Sequence, residues 1–231
     1  MMGDQRNEIL QLLLQDPVGN FELLFHFRSD REARYWHESP YSYLVELPTA
    51  HKAFLCGEEK ACERLLPNLQ EDHYLIQAPY GLLPLLRRAF IVRMVETNLL
   101  FMLRREDFVP APDARVRPLI PRGFPVCYQV GEEKLSLETF FGLFLGEQVV
   151  SYGGTQFESE QWAEIAWLRT EEEHQRKGYA LKVVSAVVED LLGEGKQPIY
   201  RVSADNLASR RLAERLGFTL HSEFLYVTVR A

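Results

Sequence analysis

The residues best suited to chemistry are the run Gln175-Arg176-Lys177-Gly178-Tyr179-Ala180, which follows a strand-like stretch, Trp162 to Thr170, and opens an apolar helix. A strand that feeds a glycine-containing turn into a helix N-terminus leaves several backbone N–H groups unpaired and aimed at one spot. The positive end of the helix dipole adds to them, so the natural guest is an anion, typically a phosphate. Arg176 and Lys177 put two positive charges in the same turn.

The elements that must position this turn can be read from apolar spacing. Phe140–Leu145 and Gln148–Phe157 bracket Gly146-Glu147 and predict a β-hairpin, with Trp162–Thr170 as the next strand. From Ala180 to Leu192 the apolar residues Leu181, Val184, Val188 and Leu191 fall on one helical face, closed by Gly193. A strand at Ile199–Ser203 follows. Then comes a helix at Asn206–Leu216 with Asp205 or Asn206 as its N-cap, Leu207, Leu212 and Leu216 inward, and Gly217 at its end. The chain closes with strand pairs over Phe218–Val229, turning at Ser222-Glu223.

The first half has its own α/β rhythm. A helix is expected at 5–15, a second at Phe21–Phe27, and a strand at Tyr41–Leu47, with Arg31–His37 as an exposed loop between them. Strand Ala53–Cys56, helix Glu58–Leu66, strand His73–Gln77, helix Pro79–Phe90 with Pro84 in its first turn, and strand Val95–Leu103 complete a βαβαβ series. Its one glycine turn, Gly57, leads into Glu58-Glu59, whose charges repel a phosphate. Pro110, Pro112, Pro118, Pro121 and Pro125 mark a stiff linker, with a first strand of the second half at Arg115–Ile120 and a helical turn at Leu135–Thr139. The expected domains are therefore 1–112 and 113–231.

Bulk properties exclude several function classes. The chain of 231 residues is 46% hydrophobic and 26% charged with net charge -7, a globular composition. Residues 1–115 carry 13 basic and 17 acidic groups, and residues 116–231 carry 13 and 16, so neither half is a basic nucleic-acid-binding module. A mildly acidic surface does not repel a cationic amine. Cys56, Cys62 and Cys127 have no metal-ligand spacing and read as free thiols of a reducing compartment. No apolar run follows a basic start and none is long enough to span a bilayer, so a cytoplasmic protein with no membrane partner and no metal is expected.

Three segments taken together resemble the catalytic core of the GNAT superfamily of acyl-CoA-dependent N-acyltransferases. Gln175, Gly178 and Ala180 fit its Arg/Gln-x-x-Gly-x-Gly/Ala turn. The strand ending Leu168-Arg169-Thr170 stands five residues before Gln175, where the family's strand pairs with pantetheine. Asn206 to Phe218 fits its Asn-to-Leu-Gly-Phe helix. The resemblance implies a GNAT fold, a mixed central sheet flanked by helices, over 113–231. The two-domain plan also resembles relatives whose N-terminal half is a degenerate copy of that fold. It implies acetyl-CoA as co-substrate, held by Leu168, Thr170, Gln175, Arg176, Lys177, Gly178, Tyr179, Ala180 and Asn206, and direct ternary-complex transfer of acetyl to a primary amine of a small molecule. Asn206 has two possible roles, capping its helix or donating to pantetheine.

For catalysis the resemblance points to Glu164. In the histone-acetyltransferase branch an Ala-Glu-Ile strand supplies the general base, and Ala163-Glu164-Ile165 stands 14 residues before Gly178. Beside Ile165 and Trp167 its carboxylate is expected to be partly desolvated and better able to take a proton. The competing reading is a solvent-facing or ion-paired strand carboxylate. The helix tyrosine that protonates the departing thiolate in many relatives is replaced by Ala213, leaving Tyr226, then Tyr200 and Tyr152, as candidates. His174 and His221 have no metal-like partner. A non-catalytic acyl-CoA-binding sensor is the alternative function.

Overall fold

Apolar residues spaced three and four apart carry the first two helices, α1 (Met2–Leu13) and α2 (Phe21–Ser29), whose Ile9, Leu13, Leu23 and Phe27 are buried. The structure is a computed structural model and describes residues 2–29, 32–39, 41–119, 126–130, 133–137 and 139–230. Of the residues named above, Arg31, Ile120, Pro121, Pro125 and the side chain of Cys127 lie outside this description. The chain then forms β1 (Arg34–Ser39), β2 (Ser42–Leu47), β3 (Lys52–Cys56), α3 (Glu59–Leu65), β4 (His73–Ala78), α4 (Leu83–Ala89) and β5 (Ile91–Met102). Pro84 falls in the first turn of α4, where its missing N–H costs nothing.

After β5 come β6 (Val116–Pro118), a hairpin of β7 (Val126–Val130) and β8 (Glu133–Leu137), β9 (Phe140–Leu145), β10 (Gln148–Gln156) and β11 (Trp162–Thr170). The chain ends with α5 (Tyr179–Gly193), β12 (Gln197–Ser203), α6 (Leu207–Arg215) and β13 (Thr219–Arg230). The mixed α/β fold expected from sequence is present. Expectations change at three places along the strands. Residues 34–39, read as loop, pair antiparallel with β2, their partial burial fitting a sheet-edge strand. Residues 133–137 pair with β7 as strand rather than helical turn. Ser222 and Glu223 sit inside one continuous strand, β13, rather than at a turn.

The chain divides into two compact units, Leu100–His221 and Met1–Leu99 together with Ser222–Ala231. The division falls before the proline run rather than within it. The start of that run is held by the second unit, since the Val109 N–H donates to Leu216 O at 3.0 Å and the Ala111 N–H to Ser185 Oγ at 2.8 Å.

In the first unit the strands lie in the order β1-β2-β3-β4-β13, with β3 and β4 parallel. Alternation sends Leu44, Ala53, Leu55 and Ile76 toward α3 and α4. It sends Tyr43, Val45, Leu47 and Phe54 toward α1 and α2. In the second unit the order is β12-β11-β10-β9-β6, with β11 and β12 parallel and the rest of these pairs antiparallel. Helix α5 buries Val183, Val184, Val187, Val188 and Leu191, while α6 buries Leu212 and Ala213. Leu207, expected inward, stands exposed at the first position of α6.

Candidate functional site

Strands β11 and β12 are joined by the α5 crossover, and their ladder runs only from Trp162↔Gln197 to Ile165↔Tyr200. Ala166–Thr170 and Arg201–Ser203 lie beyond it, so the two strands part and leave a slot at their C-terminal ends. On its other edge β11 slips register against β10, Gly154 facing Ala166 but Tyr152 facing Arg169. This bulge contains Trp167, which is left-handed at φ 57° and 40% exposed. A bulky aromatic residue held at positive φ is strained backbone, a feature that clusters at ligand sites. Leu168 packs with Tyr179 on the core under α5. The Thr170 hydroxyl bonds Ser151 Oγ at 2.8 Å.

The turn is tied to the strand end by the Gln175 side chain, whose Nε2 donates to Thr170 O at 3.3 Å. Arg176 (φ 60°) and Gly178 (φ 77°) are both left-handed, and Gly178 is the N-cap of α5. No side chain caps this helix. Its first-turn N–H groups, which have no acceptor inside the helix, are therefore left to whatever occupies the turn. A Cβ built on Gly178 would meet nothing within 4 Å, so the space in front of the helix is open. Lys177 Nζ lies 3.4 Å from His174 Nδ1. Arg115 stands over the Tyr179 ring at 5.4 Å and is paired with Asp113, whose carboxyl its hydrogen bonds hold down at about 2. Ala180 follows Tyr179 in the first helical turn and leaves the approach clear. The turn and its basic pair are joined to the unpaired C-terminal end of β11 by the Gln175–Thr170 bond, an arrangement suited to an anion.

Glu164 sits in the paired part of β11, immediately before the strands part. It is 2% exposed, and both carboxylate oxygens are engaged. Arg201 of β12 donates from Nε to Oε1 at 2.9 Å and from its terminal nitrogen to Oε2 at 2.8 Å. Gln156 of β10 donates to Oε2 at 3.0 Å. The arrangement is a bidentate ion pair spanning three strands. Its register across β10, β11 and β12 carried no signature that sequence reasoning could have used to find Arg201 or Gln156.

The tyrosines separate. Tyr226 belongs to the first unit, where its hydroxyl donates to Glu22 Oε2 at 2.9 Å and accepts from Lys52 Nζ at 3.3 Å. Tyr200 is buried, which pushes its phenol pKa up, and it packs on Phe218 with ring centroids 6.2 Å apart. Tyr152 stacks at a tilt on Phe140 with centroids 5.7 Å apart. Ala213, at the position of the missing helix tyrosine, is buried in the core. The Asn206 side-chain oxygen accepts the Ser209 N–H at 3.1 Å, so capping is its observed role. Among the described residues no group of three or more His, Cys, Asp and Glu could hold a metal, and no helix is long and apolar enough to cross a membrane.

The profile of the FR47-like protein family matches residues 141–227, which include the slot, the turn and α6. No curated protein matches the chain by sequence. Among solved structures, a Drosophila protein superposes with a TM-score of 0.70 at 12% identity over 98% of this chain and 96% of its own. A GCN5-related N-acetyltransferase-like protein from Streptococcus suis does so with a TM-score of 0.59 at 16% identity over 100% of both chains. A tandem GNAT protein from the clavulanic acid biosynthesis pathway gives 0.55 at 12% identity over 99% and 95%. At these identities the likeness is one of fold. Residues 141–227 thus match the FR47-like family, and the chain shares the fold of GNAT-family structures along nearly its whole length.

Proposed function

We propose that the second unit is an N-acyltransferase that takes acetyl from acetyl-CoA and transfers it directly to a primary amine of a small molecule. The observation that carries this reading is the parting of β11 and β12 ahead of the open, uncapped N-terminus of α5. Residues Arg176 to Ala180 would hold the pyrophosphate through their N–H groups, the Gln175 N–H donating instead to Glu172 O, with Arg176 and Lys177 opposing its charge. The exposed backbone of Ala166–Thr170 would pair with the pantetheine amides. Asn206 spends its oxygen on the helix cap, which leaves the amide N–H donors of its side chain for the same arm. The donor supplies an activated acyl thioester; the chain supplies orientation and the exclusion of water.

Glu164 takes a different part in this reading from the direct base expected of it. Its carboxylate is committed to Arg201 and Gln156, so it holds the three strands together where the slot begins and acts by positioning. Direct proton abstraction would require release from Arg201. The two roles give different kinetics. Loss of a base lowers kcat and reshapes its pH profile. Loss of a brace raises the KM for acetyl-CoA and leaves the shape of the profile intact.

Burial of Ala213 in place of a helix tyrosine favours one second reading, a non-catalytic acyl-CoA sensor. Free-thiol release from acetyl-CoA in the presence of a panel of primary amines decides between them. Turnover that depends on the amine supports the transferase. Tight acetyl-CoA binding without release for any amine overturns it in favour of the sensor.

A further inference from the structure

The first unit repeats the arrangement of a parallel strand pair joined by a helix, and its strands part in the same way. The β3–β4 ladder runs from Lys52↔Leu75 to Phe54↔Gln77, leaving Leu55, Cys56 and Ala78 beyond it. A cavity of about 320 Å³ opens there, roofed by the α1–α2 connection and walled by Phe54, Cys56, Gln77 and Phe224. That volume is within the range of small-molecule sites.

Its chemistry differs from that of the slot in the second unit. The turn after β3 is closed to phosphate. Gly57 is left-handed at φ 128°, a Cβ there would collide with Ser42 at 2.3–2.4 Å, and Glu58 and Glu59 follow. Among the described residues lining the cavity, the charged ones are Asp16 and Glu223, both acidic. Burial raises the pKa of both the Tyr43 phenol and the Cys56 thiol, so the wall beneath them stays neutral at physiological pH. One buried group there is left over: Gln77 Oε1 has no hydrogen-bond partner. A buried carbonyl oxygen without a donor is uncommon in folded proteins and calls for an N–H or O–H from something else. The rings of Phe54 and Phe224 offer apolar surface, Lys52 Nζ already standing over the Phe54 ring at 5.2 Å.

We propose that this cavity is a second small-molecule site, selective for a compact organic ammonium with an apolar body. The ammonium N–H donates to Gln77 Oε1 while Asp16 and Glu223 supply the opposing charge, and the body lies against Phe54 and Phe224. The site is independent of the acyl-CoA reading, because every residue it uses belongs to the first unit.

The test is isothermal titration of the full chain, without CoA, with 2-phenylethylammonium and with its carboxylate counterpart 3-phenylpropionate at pH 7. The expected result is saturable 1:1 binding of the ammonium, at least about tenfold tighter than the carboxylate. Gln77→Leu should weaken the ammonium about tenfold while melting no lower than the parent, since it removes an unsatisfied oxygen. Glu223→Gln, at the exposed mouth of the cavity, should weaken it severalfold and flatten its salt dependence. Carboxylate binding as tight as ammonium binding, no binding of either probe, or ammonium affinity unchanged in Gln77→Leu each overturns the proposal. Acetyl-CoA binding by the same samples reports separately on the second unit.

Discussion

Replacing Glu164 by leucine tests how the slot is built. The substitution removes a carboxylate that is 2% exposed and takes its two hydrogen bonds away from the Arg201 guanidinium, whose side chain is 11% exposed. Breaking a buried pair from one side costs about 3–5 kcal/mol, because the remaining charge keeps its desolvation penalty and loses its partner. Arg201→Met should cost a similar amount for the mirror-image reason. Removing both charges in Glu164→Leu/Arg201→Met eliminates the penalty together with the attraction, and such replacements are commonly neutral or stabilising. The double variant should therefore lie within about 1 kcal/mol of the parent, far from the sum of the singles. Urea unfolding followed by tryptophan fluorescence reads this directly, since Trp162 and Trp167 share β11 with Glu164. Single variants that lose less than about 1 kcal/mol, or a double that equals their sum, would refute the reasoning.

Other consequences follow from the same geometry. Reversing both charges in Arg176→Glu/Lys177→Glu should weaken acetyl-CoA binding at least about tenfold and make it less salt-sensitive, as isothermal titration across ionic strengths would show. Asn206→Ala should destabilise by about 1 kcal/mol through loss of the α6 cap, whereas Asn206→Asp should keep the cap but weaken acetyl-CoA, separating the two roles of that side chain. Burial, then the bond to Glu46, pushes the Tyr74 phenol up to about 12. The fold thus holds the neutral form, and stability present below pH 10 should drain away as pH rises from about 10 to 12; Tyr74→Phe should flatten that loss in denaturation at pH 9 and 11.

What could be read in the sequence were the features written locally. The helical period of α5, the tight turn at Gly146 and the cap at Asn206 depend on neighbours within a few residues, and each appears where its residues predict. The strand status of 34–39 and 133–137 was not legible in this way. Both are too short to establish a period, and both are made strand by the partner they pair with. The proline run read as a linker because prolines interrupt pattern, yet the N–H groups of Val109 and Ala111 at its start find acceptors just past α6 and on α5, which no composition reveals. At the site, the turn was legible because glycine and basic residues announce it. The fate of Glu164 was not, because its partners stand 8 and 37 residues away and meet it only through strand register. Trp167 gave no sign either. A tryptophan is a poor candidate for left-handed backbone, and only the bulge between β10 and β11 places it there.

The central claim, that β11 and the α5 turn together hold the donor, is tested most directly by amide hydrogen exchange of the full chain with and without acetyl-CoA. The account predicts slowed exchange concentrated in Ala166–Thr170 and Arg176–Leu181, lost in Arg176→Glu/Lys177→Glu. Saturating acetyl-CoA that leaves these two segments unprotected, or that protects the charge-reversed variant equally, would contradict it.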